Sequence, residues 1–319
     1  MTHRVLVLDD YQDVSRQLGP WQQLEGLAGG PFDLDVRTEH LTDEALAVAL
    51  READIVVAMR ERTPFPREVL SRAPNLKLLV TTGMANASID LDACRELGVE
   101  VRGTTGLRTS TAELTWGLIL ALARHICAED REVRAGGWQR TLGFELAGAQ
   151  LGVVGLGKLG SEVAKIGLAF GMNVVAWSQN LHAEHAAAIG VRAVTKAELF
   201  ATSDVVTLHL KLSDRTRGVV GADELAAMRS TAYLVNTSRG PLIDDEALIA
   251  ALRTGSIAGA GLDVYDVEPL PATHPIRALP NTVLTPHVGY VTTGTYERWW
   301  PQVVEDIRSW AEGKATRVL

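Results

Sequence analysis

Residues 150–160 read Gln-Leu-Gly-Val-Val-Gly-Leu-Gly-Lys-Leu-Gly, and this stretch decides the fold. A short apolar run, Leu151 to Val154, feeds a Gly-x-Gly-x-x-Gly turn at Gly155, Gly157 and Gly160. A helix-like stretch, Ser161 to Phe170, follows, and then a second strand-like run, Asn173 to Ser178. In that setting each glycine has a separate task. Gly155 permits the tight strand-to-helix turn, Gly157 lets a pyrophosphate approach the backbone, and Gly160 lets helix and strand pack closely. The first-turn N–H groups lack intrahelical partners, so with the helix dipole they form an anion site. A chain with 29 glycines can show such a pattern as a plain tight turn. The flanking strand and helix are what turn it into a prediction of dinucleotide binding.

Strand-like and helix-like runs alternate on both sides of this turn. Before it, Val5 to Leu8, Leu34 to Arg37, Ile55 to Met59, Leu76 to Thr81 and Val99 to Arg102 read as short buried strands. Thr42 to Arg51, Pro66 to Arg72 and Leu91 to Leu97 lie between them with helical periodicity and N-terminal caps or acids. After it, strands are expected at Asn173 to Ser178, Val191 to Val194, Asp204 to Leu210, Ala232 to Asn236, Ala260 to Val264 and Thr282 to Thr285. Two such arrays predict two doubly wound α/β domains. Ser110 to Arg134 reads as one long connecting helix, with Glu113 three residues after Ser110 at capping-box spacing. Gly294 to Ala311 reads as a helix that crosses back onto the first array. The expected organisation is a dinucleotide-binding domain over 104–287, inserted in a discontinuous domain of 1–103 and 288–319.

At 319 residues, 46% hydrophobic and 22% charged, the chain has the composition of globular domains with their own cores. A net charge of −8 without a basic block leaves no electrostatic footprint for nucleic acid. The apolar stretch Leu114 to Ala123 is too short to span a bilayer, and the N-terminus reads as a strand, not a signal peptide. Two cysteines, Cys94 and Cys127, in helix-like segments suggest reduced thiols and a cytoplasmic protein. No metal is expected.

Ligands of open parallel sheets bind outside the carboxyl ends of the strands, so the residues following each strand of the second array matter most. They are the glycine turn, Ser178-Gln179-Asn180, His209-Leu210-Lys211, Thr237-Ser238-Arg239, Asp263 with Glu268, and Pro286-His287. An Arg, a Glu and a His therefore emerge on the edge where the turn places a cofactor. Each alone also reads as a strand-end ion pair, a turn residue or an idle histidine; together they read as a site.

These residues carry a resemblance. Gly-Leu-Gly-Lys-Leu-Gly (155–160), Asn-Thr-Ser-Arg-Gly (236–240), Leu-Asp-Val-Tyr-Asp-Val-Glu-Pro (262–269) and Thr-Pro-His-Val-Gly (285–289) stand in an order that resembles the D-isomer-specific 2-hydroxyacid dehydrogenases. Thr-Thr-Gly-Met-Ala-Asn-Ala-Ser-Ile-Asp (81–90) and Thr-Ala-Glu (111–113) extend the likeness over nearly the whole chain. The resemblance implies a Rossmann domain inserted in a flavodoxin-like substrate-binding domain. It implies hydride transfer between NAD(P)(H) and C2 of a 2-hydroxy or 2-oxo acid. Arg239 would bind the substrate carboxylate. His287 would be general acid in reduction and base in oxidation, with Glu268 fixing its tautomer. Gly83, Met84 and Ala85 would offer backbone N–H groups to the same carboxylate. Lys158 and Leu159 would present backbone to the pyrophosphate, Asp263 would meet the nicotinamide carboxamide, and Thr111 would lie near that ring. Leu210, Thr237 and Gly289 complete the expected cofactor contacts, and a homodimer is implied.

Several positions depart from the family's pattern. Ser178 stands where an acidic residue would hold the ribose hydroxyls, so nothing repels a 2′-phosphate, and no neighbouring Arg in the sequence attracts one. NAD is the expected cofactor, with NADP open. Ala85 and Ala87-Ser88 alter the substrate loop. Tyr290, Trp299 and Trp300 read as core or interface anchors, or else Tyr290 or one of the tryptophans walls the substrate pocket. The alternatives to an enzyme of this reaction are a dinucleotide-sensing corepressor on the same fold, and a formate or phosphite dehydrogenase.

Overall fold

The computed structural model describes residues 2–27, 30–107 and 109–319. The chain divides into two compact units, Met1–Leu107 with Val291–Leu319, and Arg108–Tyr290. Among the described residues no helix is long and apolar enough to cross a membrane.

The first unit is built on β1 (His3–Val7), β2 (Phe32–Val36), β3 (Ile55–Ala58), β4 (Leu78–Thr81) and β5 (Glu100–Gly103). They form a parallel sheet in the order β2-β1-β3-β4-β5, the flavodoxin-like doubly wound order. Every residue of β3 and β4 is buried. Such strands are covered on both faces, which is why they read as unbroken apolar runs. The helix Thr293–Ala311 packs against β4 and β5 of this unit. Its Trp299 and Trp300 are buried core residues, with the Trp300 ring 6.3 Å from that of Trp21. Both tryptophans are therefore core anchors.

The second unit carries β6 (Gln150–Val154), β7 (Asn173–Trp177), β8 (Arg192–Ala193), β9 (Val205–Leu208), β10 (Tyr233–Asn236), β11 (Gly259–Leu262) and β12 (Thr282–Leu284). All pairs are parallel, and the order is β12-β11-β10-β9-β6-β7-β8. The chain reverses its direction of travel across the sheet between β6 and β9, the crevice where doubly wound sheets bind dinucleotides. Successive residues alternate between two cores, as strand geometry requires. Leu234 packs with Phe200, Leu208 and Leu252 on one side, and Val235 with Trp116, Leu151 and Val163 on the other.

One element differs from the sequence expectation. Ser110 to Arg134 is not a single helix but two, Thr109–Ala123 and Ile126–Arg134, broken where His125 takes φ 52°. The apolar periodicity ends with the first helix, and the second buries no residue at all. The capping box is also absent. Ser110 lies inside the helix, and its hydroxyl is buried with no hydrogen-bond partner.

Candidate functional site

The predicted glycine turn sits at the carboxyl end of β6, and the helix Lys158–Ala169 opens from it. Gly155 has φ 101°, and a Cβ there would come within 2.8 Å of the His209 backbone. A Cβ on Gly160 would lie 2.0 Å from the Gly155 carbonyl oxygen. These two glycines serve the protein's own packing. Around Gly157, by contrast, a Cβ would meet nothing within 4 Å. Open space beside a helix N-terminus suits a diphosphate, whose negative charge the free N–H groups and the dipole favour. Lys158 is exposed, whereas Leu159 packs its side chain into the core and leaves only backbone to a ligand.

Beside this turn, burial holds His209 neutral, its pKa pushed down to about 3. Its Nε2 lies 2.9 Å from the Thr207 hydroxyl.

Arg239 follows β10 on a loop knitted by Asn236, which is wholly buried. The Asn236 amide donates to the Arg239 carbonyl at 2.9 Å and accepts from the Ser238 N–H at 3.0 Å. The Ser238 hydroxyl donates to the Leu210 carbonyl at 2.7 Å, joining this loop to the one after β9. Gly240 lies so close to the next loop that a Cβ would stand 2.0 Å from the Tyr265 carbonyl carbon. The Arg239 loop is thereby wedged against the segment that bears Glu268.

His287 and Glu268 form the pair expected of them. Nδ1 of His287 lies 2.6 Å from Oε2 of Glu268, with both side chains mostly shielded from solvent. Oε1 of Glu268 accepts the Tyr265 N–H at 2.9 Å, so the carboxylate is held at both oxygens. Tyr265 donates its hydroxyl to the Leu262 and Thr285 carbonyls, tying the ends of β11 and β12 together. Burial raises the Tyr265 pKa far above the usual phenol value, so this donor stays protonated.

His287 has φ 54°, a left-handed conformation costly for a residue with a Cβ. Asp263 explains how it persists. Oδ1 of this buried carboxylate accepts the Thr285 hydroxyl at 2.6 Å and the Val288 N–H at 2.8 Å, and Oδ2 accepts the Gly289 N–H at 2.9 Å. Burial raises the Asp263 pKa, while those donors and His287 pull it back down. The sequence pointed to Asp263 as a cofactor contact; its grip on the turn bearing His287 was not foreseen. Thr111 closes the group, donating to the Gly289 carbonyl at 3.1 Å, and Thr115 bridges it to Thr237 at 2.8 Å. The Tyr290 ring stands edge-on to that of His287, 5.6 Å between centroids.

At the end of β7, Ser178, Gln179 and Asn180 line a cavity of about 210 Å³ together with Lys211, Arg215 and Thr216 of the loop after β9. The cation that sequence neighbours of Ser178 do not supply is thus brought by the fold. In the first unit, Gly83 follows β4 with φ 128° and donates its N–H to the Thr104 hydroxyl at 3.0 Å. Met84 and Ala85 are exposed.

Residues 116–289 match the family model described as D-isomer specific 2-hydroxyacid dehydrogenase, NAD binding domain. The chain is 39% identical over 282 residues to a glyoxylate reductase of Aeropyrum pernix, covering 85% of this chain and 84% of that one. A phosphoglycerate oxidoreductase from Vibrio cholerae O395 superposes with a TM-score of 0.92 at 38% identity, over 98% and 99% of the two chains. A D-lactate dehydrogenase of Aquifex aeolicus, solved with NAD and lactic acid, superposes with a TM-score of 0.80 at 27% identity, over 98% and 96%.

Proposed function

Because the chain belongs to the D-isomer specific 2-hydroxyacid dehydrogenase family, and so is an NAD-dependent oxidoreductase of 2-hydroxy and 2-oxo acids, we propose that Arg239, Glu268 and His287 carry its chemistry on a small 2-oxo acid such as glyoxylate. Bound NAD(H) supplies or accepts the hydride. The glycine turn, Lys158, Leu159, Ser178, Thr111, Leu210, Thr237, Asp263 and Gly289 hold that cofactor. Oδ2 of Asp263, with one protein donor, keeps a lone pair for a further donor.

The observation that carries this reading is the 2.6 Å His287–Glu268 contact on a backbone turn locked by Asp263. Glu268 accepts a hydrogen bond from Nδ1–H, which leaves Nε2 as the nitrogen that exchanges a proton with substrate. In reduction Nε2 gives its proton to the oxygen formed from the carbonyl; in oxidation it takes that proton back. The Arg239 fork pairs with the substrate carboxylate and sets C2 in place. Tyr290, packed edge-on to His287, limits the room for a side chain on C3 and favours small substrates. A panel of 2-oxo acids of increasing size tests this: rates should fall from glyoxylate upward, and equal rates throughout would remove the support for Tyr290 as a wall.

The relatives are reductases and dehydrogenases of 2-oxo and 2-hydroxy acids, so a corepressor and a formate or phosphite dehydrogenase are not favoured. A homodimer is supported by apolar exposure on the second unit, where Trp138 is 73% and Leu142 94% exposed and Ile126 and Val133 stand nearby in sequence. A second copy of the chain is the proposed cover, and light scattering should give twice the chain mass. Two free cysteines, Cys94 buried with its pKa raised to about 11, support a reducing, cytoplasmic setting.

A further inference from the structure

The cavity at the ends of β7 and β9 has a charge pattern that the ribose of NAD does not need. Its lining includes Lys211 and Arg215 and no carboxylate. Lys196, 5.7 Å from the centre of the Trp177 ring that lines the cavity, is neutralised by Glu224 at 2.8 Å. Lys211 and Arg215 have no ion-pair or side-chain hydrogen-bond partner among the described residues. Their loop is nonetheless fixed. The Thr216 hydroxyl donates to the Lys211 carbonyl at 2.7 Å and accepts the Ser213 N–H at 2.8 Å, and the Arg217 N–H reaches the Ser213 carbonyl at 2.9 Å. Two cations are therefore held at a rim that also presents the Ser178 hydroxyl and the amides of Gln179 and Asn180.

The strand end occupied by Ser178 is where a Rossmann fold meets the adenosine ribose. A carboxylate there accepts the 2′-hydroxyl of NAD and repels a 2′-phosphate, whereas a nearby guanidinium accommodates the phosphate. We infer that Ser178, Lys211 and Arg215 form a 2′-phosphate site, so that the chain binds NADP(H) at least as tightly as NAD(H). The inference rests on the dinucleotide lying across the β6–β9 crevice as proposed above. A ribose phosphate monoester carries close to two negative charges at neutral pH, and each of the two cations can pair with it while Ser178 donates a hydrogen bond. NAD offers a neutral hydroxyl at the same place and finds no carboxylate to accept it.

The test is equilibrium binding without 2-oxo acid. The protein is titrated with NADPH and NADH by nicotinamide fluorescence, and with 2′,5′-ADP and 5′-ADP by calorimetry. The expected results are an NADPH Kd equal to or below that of NADH, and tighter binding of 2′,5′-ADP than of 5′-ADP. Both preferences should shrink as salt is raised, since the cations are exposed. In the Lys211→Ala/Arg215→Ala variant the NADPH-to-NADH ratio of Kd values should rise about tenfold, as expected for two exposed pairs with a dianion. Ser178→Asp should move the ratio further the same way by adding the repelling carboxylate. NADPH binding about tenfold or more weaker than NADH, or a double variant with an unchanged ratio, overturns the 2′-phosphate site and leaves dinucleotide binding intact. Failure of both dinucleotides to bind overturns the 2′-phosphate site and the crevice reading together.

Discussion

Replacing Asp263 by Asn isolates the device that holds His287 in place. The carboxylate accepts three hydrogen bonds from the turn, two on Oδ1 and one on Oδ2. An asparagine has one acceptor oxygen. Placed at Oδ1 it keeps the Thr285 and Val288 bonds, but its NH2 then faces the buried Gly289 N–H, donor against donor. A buried N–H left without its acceptor costs about 1–3 kcal/mol. The left-handed backbone of His287 already costs roughly 1–2 kcal/mol, and such strain persists only while its surroundings over-determine it. With one anchor gone the turn relaxes and the imidazole leaves its productive position. If the same 1–3 kcal/mol appears in the barrier, turnover falls about fivefold to 150-fold. The assay is kcat with saturating glyoxylate and NADH, set beside the NADH Kd from fluorescence titration and a thermal melt. The expected pattern is a large fall in kcat, a smaller weakening of the NADH Kd from the acceptor lost at Oδ2, and a Tm lower by a few degrees. An unchanged kcat refutes the reasoning. A loss confined to the NADH Kd would make Asp263 a cofactor contact that does not hold the turn.

Gly160→Ala should unfold the strand–turn–helix unit or lower its Tm steeply, because the new Cβ falls 2.0 Å from the Gly155 carbonyl. Gly157→Ala has open space, so its fold and melt should be preserved while dinucleotide affinity drops; equal effects of the two changes would contradict their assigned tasks. Arg239→Lys should raise KM for the 2-oxo acid and lower kcat, since an ammonium cannot reproduce the bidentate fork; normal kinetics would make Arg239 structural. Asp306 gives a pH test. It is wholly buried beside Arg317, and burial raises its pKa from 3.8 to about 6 despite that cation. A folded value above the unfolded one means its contribution to stability is complete below about pH 3.8 and is lost as pH rises through about 6. The urea stability of the wild type minus that of Asp306→Asn should therefore grow as pH falls from neutral; a difference that shrinks on acidification would contradict the shift.

The sequence showed the architecture well because parallel strands buried on both faces appear as apolar runs, and the glycine turn located the crevice. It also showed Arg239, Glu268 and His287, because strand ends are local features and each of these follows a strand. What it hid was produced by distance or by backbone conformation. Lys211 and Arg215 reach the Ser178 cavity only because β9 lies beside β6 and β6 beside β7. Asp263 read as a ligand contact because nothing local reveals that its oxygens grip the backbone after β12. The helix break at His125 carries no glycine or proline to announce it. Trp299 and Trp300 were open between core and pocket wall, and burial in the first unit makes them core.

The central claim is that His287, oriented by Glu268, transfers the proton that accompanies hydride transfer. It is tested most directly by comparing wild type and His287→Ala for loss of reduced-nicotinamide absorbance with glyoxylate, at NADH concentrations that saturate both. The account predicts turnover lowered by orders of magnitude with NADH still bound. Near-normal turnover in the variant would contradict it.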